Sequence, residues 1–239
     1  MNKFLLIMGL LLGHTCCAQF SRDHPIGHEG LAEYFHILDG TGKPIPVGDF
    51  SDVNGSPLLQ DKWTVGVISF ADGKKYVDSF MNYSLYDDKL FIKKNNQTYP
   101  VNVRPKEFLI TDGNNSGIAY QFERGFPAGD HNDSLTFYEI LFAGNSFKLL
   151  KWGHKKVTET SNYGGVNQKE YSLINVYFVF LPKSNRMVEM GMKVNLNDLR
   201  KNFPEYEKDI DLYLSSHKLN TKKNEDLIQL FSFLDLVKQ

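Results

Sequence analysis

The chain has 239 residues, with 27 Lys and Arg against 28 Asp and Glu, a formal net charge of −1. So balanced a chain lacks the basic face that nucleic-acid binding requires. Its 41% hydrophobic and 13% aromatic content suits a globular core. The two cysteines, adjacent near the N-terminus, leave no disulfide framework for the rest of the chain.

Residues 1–18 read as a signal peptide. Lys3 supplies a positive n-region, and Phe4 to Leu12 form an apolar run too short to span a bilayer. Cys16 and Ala18 occupy the small-residue positions for cleavage after Ala18, which makes Gln19 the mature N-terminus. The rival reading is a lipid anchor at Cys16 or Cys17. That site resembles Leu three residues and Gly or Ala one residue ahead of the cysteine. Gly13 and Thr15 hold those places for Cys16, and His14 and Cys16 for Cys17, so neither matches. The expectation is an exported protein, periplasmic or extracellular, with no thiol chemistry in its mature form. After cleavage it is expected not to span a membrane, since its longest apolar run, YSLINVYFVFL (171–181), is strand-sized.

Residues 19–62 form a polar, turn-rich segment in which DGTGKPIP and NGSP mark turns. His24, His28 and Glu29 lie here. An i, i+4 histidine pair on a helix suits zinc, but Pro25 and Gly27 oppose a helix.

From Trp63 to Val194 short apolar runs alternate with turn dipeptides. WTVGVISF, KYVDSFMNYSLY, KLFIK, QTYPVNV, EFLIT, IAYQF, SLTFYEILF, SFKLLKW, YSLINVYFVFL and RMVEMGM read as strands. Asp72-Gly73, Asp87-Asp88 and Asn95-Asn96 supply turns between them. Two longer polar stretches, ERGFPAGDHND and HKKVTETSNYGGVNQK, read as loops. The second half of YSLINVYFVFL does not alternate, as expected of a strand covered on both faces. The spacing predicts a mainly β protein, an antiparallel meander forming a sandwich or barrel-like roll. Residues 195–239 add two to three C-terminal α-helices packed on that β domain. Leu196, Leu199 and Phe203 share one helical face; Tyr206, Ile210, Tyr213 and Leu214 share another. The last helix, about Glu225 to Val237, is apolar on more than one side and so is sandwiched or meets a partner.

Chemistry is harder to find. Asp112, Asn114, Ser116, Gly117 and Glu123 fall at positions 1, 3, 5, 6 and 12 of a calcium loop. The flanking segments are strand-like where the template needs helices, and a strand would carry Glu123 away from the turn. A hairpin turn without metal is the favoured reading. GDHND gathers Asp130, His131 and Asp133 in a loop, and a solvated turn accounts for it. Lys151, His154, Lys155 and Lys156 beside Trp152 form a basic cluster, read as a solvated loop over an anion-binding surface. There is no G-x-S-x-G elbow and no Gly-rich phosphate loop. No catalytic residue and no cofactor is assigned. The expected function is a non-enzymatic binding or interaction module of the bacterial cell envelope, its partner an envelope protein or ligand that the sequence does not identify. The first alternative is a carrier of an apolar ligand in a curved sheet, similar in texture to the lipoprotein-carrier half-barrels of Gram-negative envelopes. The second is a hydrolase with dispersed carboxylates. A carrier should show a deep apolar cavity, a hydrolase two convergent carboxyls of raised pKa, and an interaction module an exposed apolar patch.

Overall fold

A computed structural model describes residues 53–237, apart from 115–116, 130–131 and 162–166. The leader with Cys16 and Cys17, and His24, His28 and Glu29, lie outside the described residues. Eleven strands form one sheet. They are β1 (Val53–Asn54), β2 (Thr64–Ser69), β3 (Lys75–Ser84), β4 (Lys89–Lys94), β5 (Gln97–Pro100) and β6 (Glu107–Thr111). The rest are β7 (Ala119–Glu123), β8 (Tyr138–Ala143), β9 (Lys148–Ser161), β10 (Asn167–Leu181) and β11 (Arg186–Gly191). Three helices follow: α1 (Leu196–Asn202), α2 (Glu207–Ser216) and α3 (Asn224–Val237). The mainly β class with C-terminal helices is therefore as expected.

The sheet order is β1-β10-β9-β8-β7-β6-β2-β3-β4-β5, with β11 also against β10. Every pairing is antiparallel except β1 on β10. Of the expected sandwich or barrel-like roll, the chain forms one curled, unclosed sheet. Two features differ from expectation. The meander is broken in two, since β5 returns over residues 101–106 so that β6 pairs with β2. Alternation assigns each strand its inner face but not its neighbours, so this crossover left no periodic trace. The second is HKKVTETSNYGGVNQK, which is mostly strand: β9 runs to Ser161 and β10 starts at Asn167. Its Val157, Thr158 and Thr160 favour strands, and a ribbon wet on both faces needs no apolar alternation.

Turn chemistry sets the hairpins. Asn95 (φ 50°) and Asn96 (φ 62°) occupy the left-handed region between β4 and β5, as a type I′ hairpin demands. Gly66 is required for a different reason. A Cβ there would lie 2.2 Å from the Leu109 carbonyl oxygen and 2.7 Å from Met81 Sδ, so β2 and β6 could not approach.

Three apolar clusters follow from the alternation. The first lies inside the curl of β2, β3, β4, β6 and β7. Tyr83, Phe108, Phe122 and Phe137 meet there with ring centroids 4.8–6.1 Å apart. The second lies between β8–β11 and the helices, around Phe147, Leu149, Val179, Phe203, Ile210, Leu230 and Phe231. The third covers the opposite face of the same strands, where Phe126 closes over Tyr138, Leu150 and Phe178. Phe178 and Val179 thus point into different cores, and β10 is buried on both faces as its unbroken apolar run implies.

The curl comes near closure at one seam. Lys155 N on β9 donates to Leu85 O after β3 (2.8 Å), and its ammonium donates to Ser56 O (2.8 Å) and Leu58 O (2.6 Å). The 56–63 segment is laced into the roll through Leu59 N to Tyr83 O (2.7 Å) and buried Asn82 Nδ2 to Gln60 O (2.6 Å). The sheet therefore takes in chain ahead of residue 63.

The helices begin and end for local reasons. Asn195 caps α1 by accepting from Asn197 N (2.9 Å), and Pro204, with no N–H to give, opens the 3-10 turn that follows. Helix α3 buries Leu227, Leu230, Phe231 and Leu234. Its Asp235 carboxylate, also buried, accepts from Asn145 N (3.0 Å) and Ser146 N (2.6 Å) in the β8–β9 turn. A Cβ on Gly144 would come within 2.5 Å of that carboxylate, so the clasp depends on glycine there. Among the described residues no helix is long and apolar enough to cross a membrane.

Candidate functional site

DGNNSG lies in sequence between β6 and β7, which pair antiparallel with Thr111 opposite Ala119. Asp112 Oδ1 accepts from Asn114 N (3.3 Å), and the Gly113 carbonyl is taken by Lys62 Nζ (3.0 Å). Glu123 sits at the far end of β7, four residues along from Ala119 or roughly 13 Å. There it pairs with Lys148 at 2.7 Å. Ser116 lies outside the described residues. Of the calcium candidates, Asp112 and Asn114 are therefore adjacent, and Glu123 is not brought to them.

The basic cluster divides between the two faces of β9. Lys151 pairs with Glu139 at 2.6 Å, Lys155 closes the seam, and His154 stacks on Trp152 on the opposite face. Burial lowers the Lys155 pKa, which marks it as a structural group and not a solvated one. Only Lys156 of the four is exposed. Among the described residues, no three His, Cys, Asp or Glu gather to hold a metal ion.

One polar site is an open cleft of about 510 Å³ that no sequence motif marks. Asp88, Arg104, Ala128, Gly129, Asn132, Asp133, Leu135 and Thr136 line it. Asp88 sits in the β3–β4 turn in the left-handed region (φ 54°). Its carboxylate accepts from the Tyr83 hydroxyl and, at 2.7 Å, from Arg104 Nη1. Arg104 Nη1 also donates to Leu135 O (2.9 Å). Neighbouring Arg124 props the loop by donating to Pro105 O (2.5 Å) and Arg104 O (2.8 Å). Burial raises the Asp88 pKa, and the bonds from Tyr83 and Arg104 oppose that rise. Asp133 shifts the other way, because the Leu135 and Thr136 backbone N–H groups and the Thr136 hydroxyl stabilise its charged form.

Asn132, 8% exposed, has an Nδ2 with no hydrogen-bond partner. Tyr138 Oη is in the same position, and burial pushes its pKa up to about 12. The Asn132 amide is near enough to offset part of that rise, yet the two groups do not complete a hydrogen bond. Leaving such groups unsatisfied costs about 1–3 kcal/mol each. Of GDHND, Asp133 lines the cleft, while Asp130 and His131 lie outside the described residues. Asp88 and Arg104 were invisible as a pair. One reads as half of a turn dipeptide and the other as a lone arginine before Pro105, 16 residues apart.

A second surface is apolar. On the outer face of the roll, Val65 pairs across strands with Phe80, and Val67 with Leu109. Phe80 is 54% exposed and Val65 38%. Trp63 extends the patch, with Lys93 Nζ 6.0 Å over its ring. The alternation that sends Ile68, Met81 and Ile110 inward obliges these side chains to face out. Comparison of the chain with protein-family models, with curated proteins and with solved structures finds no match.

Proposed function

We propose that the chain is a non-enzymatic interaction module of the bacterial cell envelope, and that it meets a protein partner through the outer face of β2, β3 and β6. The observation that carries this reading is the patch of Trp63, Val65, Val67, Phe80 and Leu109, with Phe80 more than half exposed at its centre. Clustered outward aromatics and aliphatics with a cation at the edge have the make-up of a contact surface. The MNKFLLIMGLLLG leader supports export.

The two alternatives find less support. A carrier needs open apolar space, whereas stacked aromatic rings, 2% exposed or less, occupy the inside of the curl. A hydrolase with paired acids needs a carboxyl of raised pKa that is free to give its proton, whereas Asp88, the one among the described residues whose pKa rises, is held by the Tyr83 hydroxyl and Arg104 Nη1.

Photo-crosslinking in the producing bacterium tests the reading. A crosslinking residue in place of Phe80 is expected to give one discrete envelope adduct, lost when Val65→Asp is added. The same probe in place of Leu212 on α2, which is 61% exposed, should give none. Equal labelling from both positions, or retention of the chain in the cytoplasm, contradicts the proposal.

A further inference from the structure

Strand β10 leaves a gap on the edge that faces away from β9. That edge is taken by β1 at Lys169 and Glu170 and by β11 from Tyr177 to Leu181. Lys155 gives its N–H to Leu85 O and not to β10, and it lies opposite Leu173. Opposite residues of an antiparallel pair exchange both backbone bonds or neither. Leu173 therefore turns its N–H and C=O away from β9, and Asn175, two residues on, does the same. The carbonyls of Gln168 and Glu170 fit this parity, since the Thr160 and Thr158 hydroxyls on β9 donate to them (both 3.4 Å). Among the described residues nothing pairs with the outward N–H and C=O of Leu173 and Asn175.

The neighbours cannot grow into the gap. After Asn54, Gly55 (φ 90°) turns the chain off the edge, and the Lys155 ammonium holds the carbonyls of Ser56 and Leu58. Gly191 (φ 76°) does the same for β11, and Val194 is buried against the helices. The stretch from Tyr171 to Tyr177 spans about 20 Å, room for roughly four or five residues of a guest strand. The β10 of a second copy is too long to enter, since its 15 residues would run into β1 and β11. YSLINV (171–176) has no charge, proline or glycine to guard an open edge. By contrast β5, at the far end of the sheet, is short and closes on Pro100. Leu173 is 52% exposed in the middle of the gap, and Ile174 and Val176 on the other face are half-buried. The geometry points to this edge as a binding site for a short extended segment of a partner polypeptide. The segment is uncharged, lacks proline, and joins the sheet as a strand between β1 and β11. No strand of the outer-face patch takes part, so the assignment stands or falls separately from it.

Nuclear magnetic resonance titration and amide exchange on the isotope-labelled mature chain test it. The probe is an acetylated, amidated pentapeptide of alternating threonine and valine. The control is the same peptide N-methylated at its second and third residues, so that in any register one methyl group meets the edge. Without peptide, the Leu173 and Asn175 amides should exchange freely while those of Ser172 and Ile174 are protected. The probe should shift the signals of residues 172–176 and slow exchange at Leu173 and Asn175. N-methylation should weaken binding about tenfold, the loss expected when one backbone bond fails. Leu173→Pro, which removes one outward N–H, should weaken it to a similar degree, and Leu173→Ala, which keeps that N–H, should bind more tightly than Leu173→Pro. Should the proline variant not fold, the N-methylated peptide makes the same comparison on the wild type. The inference is overturned if the probe leaves residues 172–176 unshifted or if the N-methylated peptide binds equally well. It is also overturned if Leu173 and Asn175 are protected without peptide, whether by a second copy or by chain ahead of Val53.

Discussion

The single sheet carries two large cores that are sealed by different means. In β2–β7 the sheet curls round its own aromatic side chains, and the seam is held by a cation: the Lys155 ammonium on the carbonyls of Ser56 and Leu58. In β8–β11 the sheet cannot cover itself, so the helices do. That seam is held by an anion, the Asp235 carboxylate on the amides of Asn145 and Ser146. The two clasps are not equivalent. A carbonyl has two lone pairs and tolerates the loss of one donor, whereas an N–H has a single hydrogen and loses its whole bond when its acceptor goes. The helix-backed core should therefore be the more sensitive to losing its clasp.

The largest effect comes from removing the cover itself. Helix α3 buries Leu227, Leu230, Phe231 and Leu234 to 2% exposure or less. At about 1.5–3 kcal/mol each, their burial rivals the whole net stability of roughly 5–15 kcal/mol expected of a domain. A chain ending at Lys218 should show no cooperative melt by circular dichroism and should elute as aggregate. An unchanged midpoint would mean that α3 serves only a partner. Next in size is Asp235→Ala, which removes two charge-assisted hydrogen bonds to the β8–β9 turn and should lower the stability read from urea unfolding by about 2–4 kcal/mol. Lys155→Met is expected to cost less, about 1 kcal/mol, because it strands only carbonyls and removes an ammonium that burial already disfavours. A larger loss from Lys155→Met than from Asp235→Ala would invert the comparison. The smallest effect, and one of opposite sign, belongs to Tyr138→Phe. It removes a buried hydroxyl that has no hydrogen-bond partner, so at neutral pH it should raise stability by about 1 kcal/mol or less. At alkaline pH a further difference should emerge. The folded Tyr138 pKa is raised to about 12, so its contribution is complete below the ordinary tyrosine value and is lost as pH rises through about 12. The Phe variant should lose stability less steeply in that window.

The two regions were not equally legible. Strands and their inner faces could be read wherever one side is wet, as in β2 and β6, and the helical faces of α1 and α2 followed from their spacing. The ribbon of β9 and β10 beyond Lys155 reads as a loop because its largely solvent-facing residues carry no apolar alternation. The crossover that places β6 beside β2 is a choice of neighbour, on which local pattern is silent. The same limit hid the functional surfaces. Asp88, Arg104 and Asn132 come from three separate connections. Phe80 and Val65 look like ordinary strand residues until the register shows that they share the outer face. Asp235 gave no signal at all, since an acid near a helix C-terminus looks merely unfavourable until its two amide donors are seen.

The claim that each core has its own seal is tested most directly by amide hydrogen exchange, mapped along the chain, on the wild type and Asp235→Ala. The account predicts that protection falls in α3 and across the β8–β9 turn while β2, β3 and β6 keep wild-type protection. A uniform loss through both cores, with β2 and β6 exchanging as fast as α3, would contradict it and show one core with one seal.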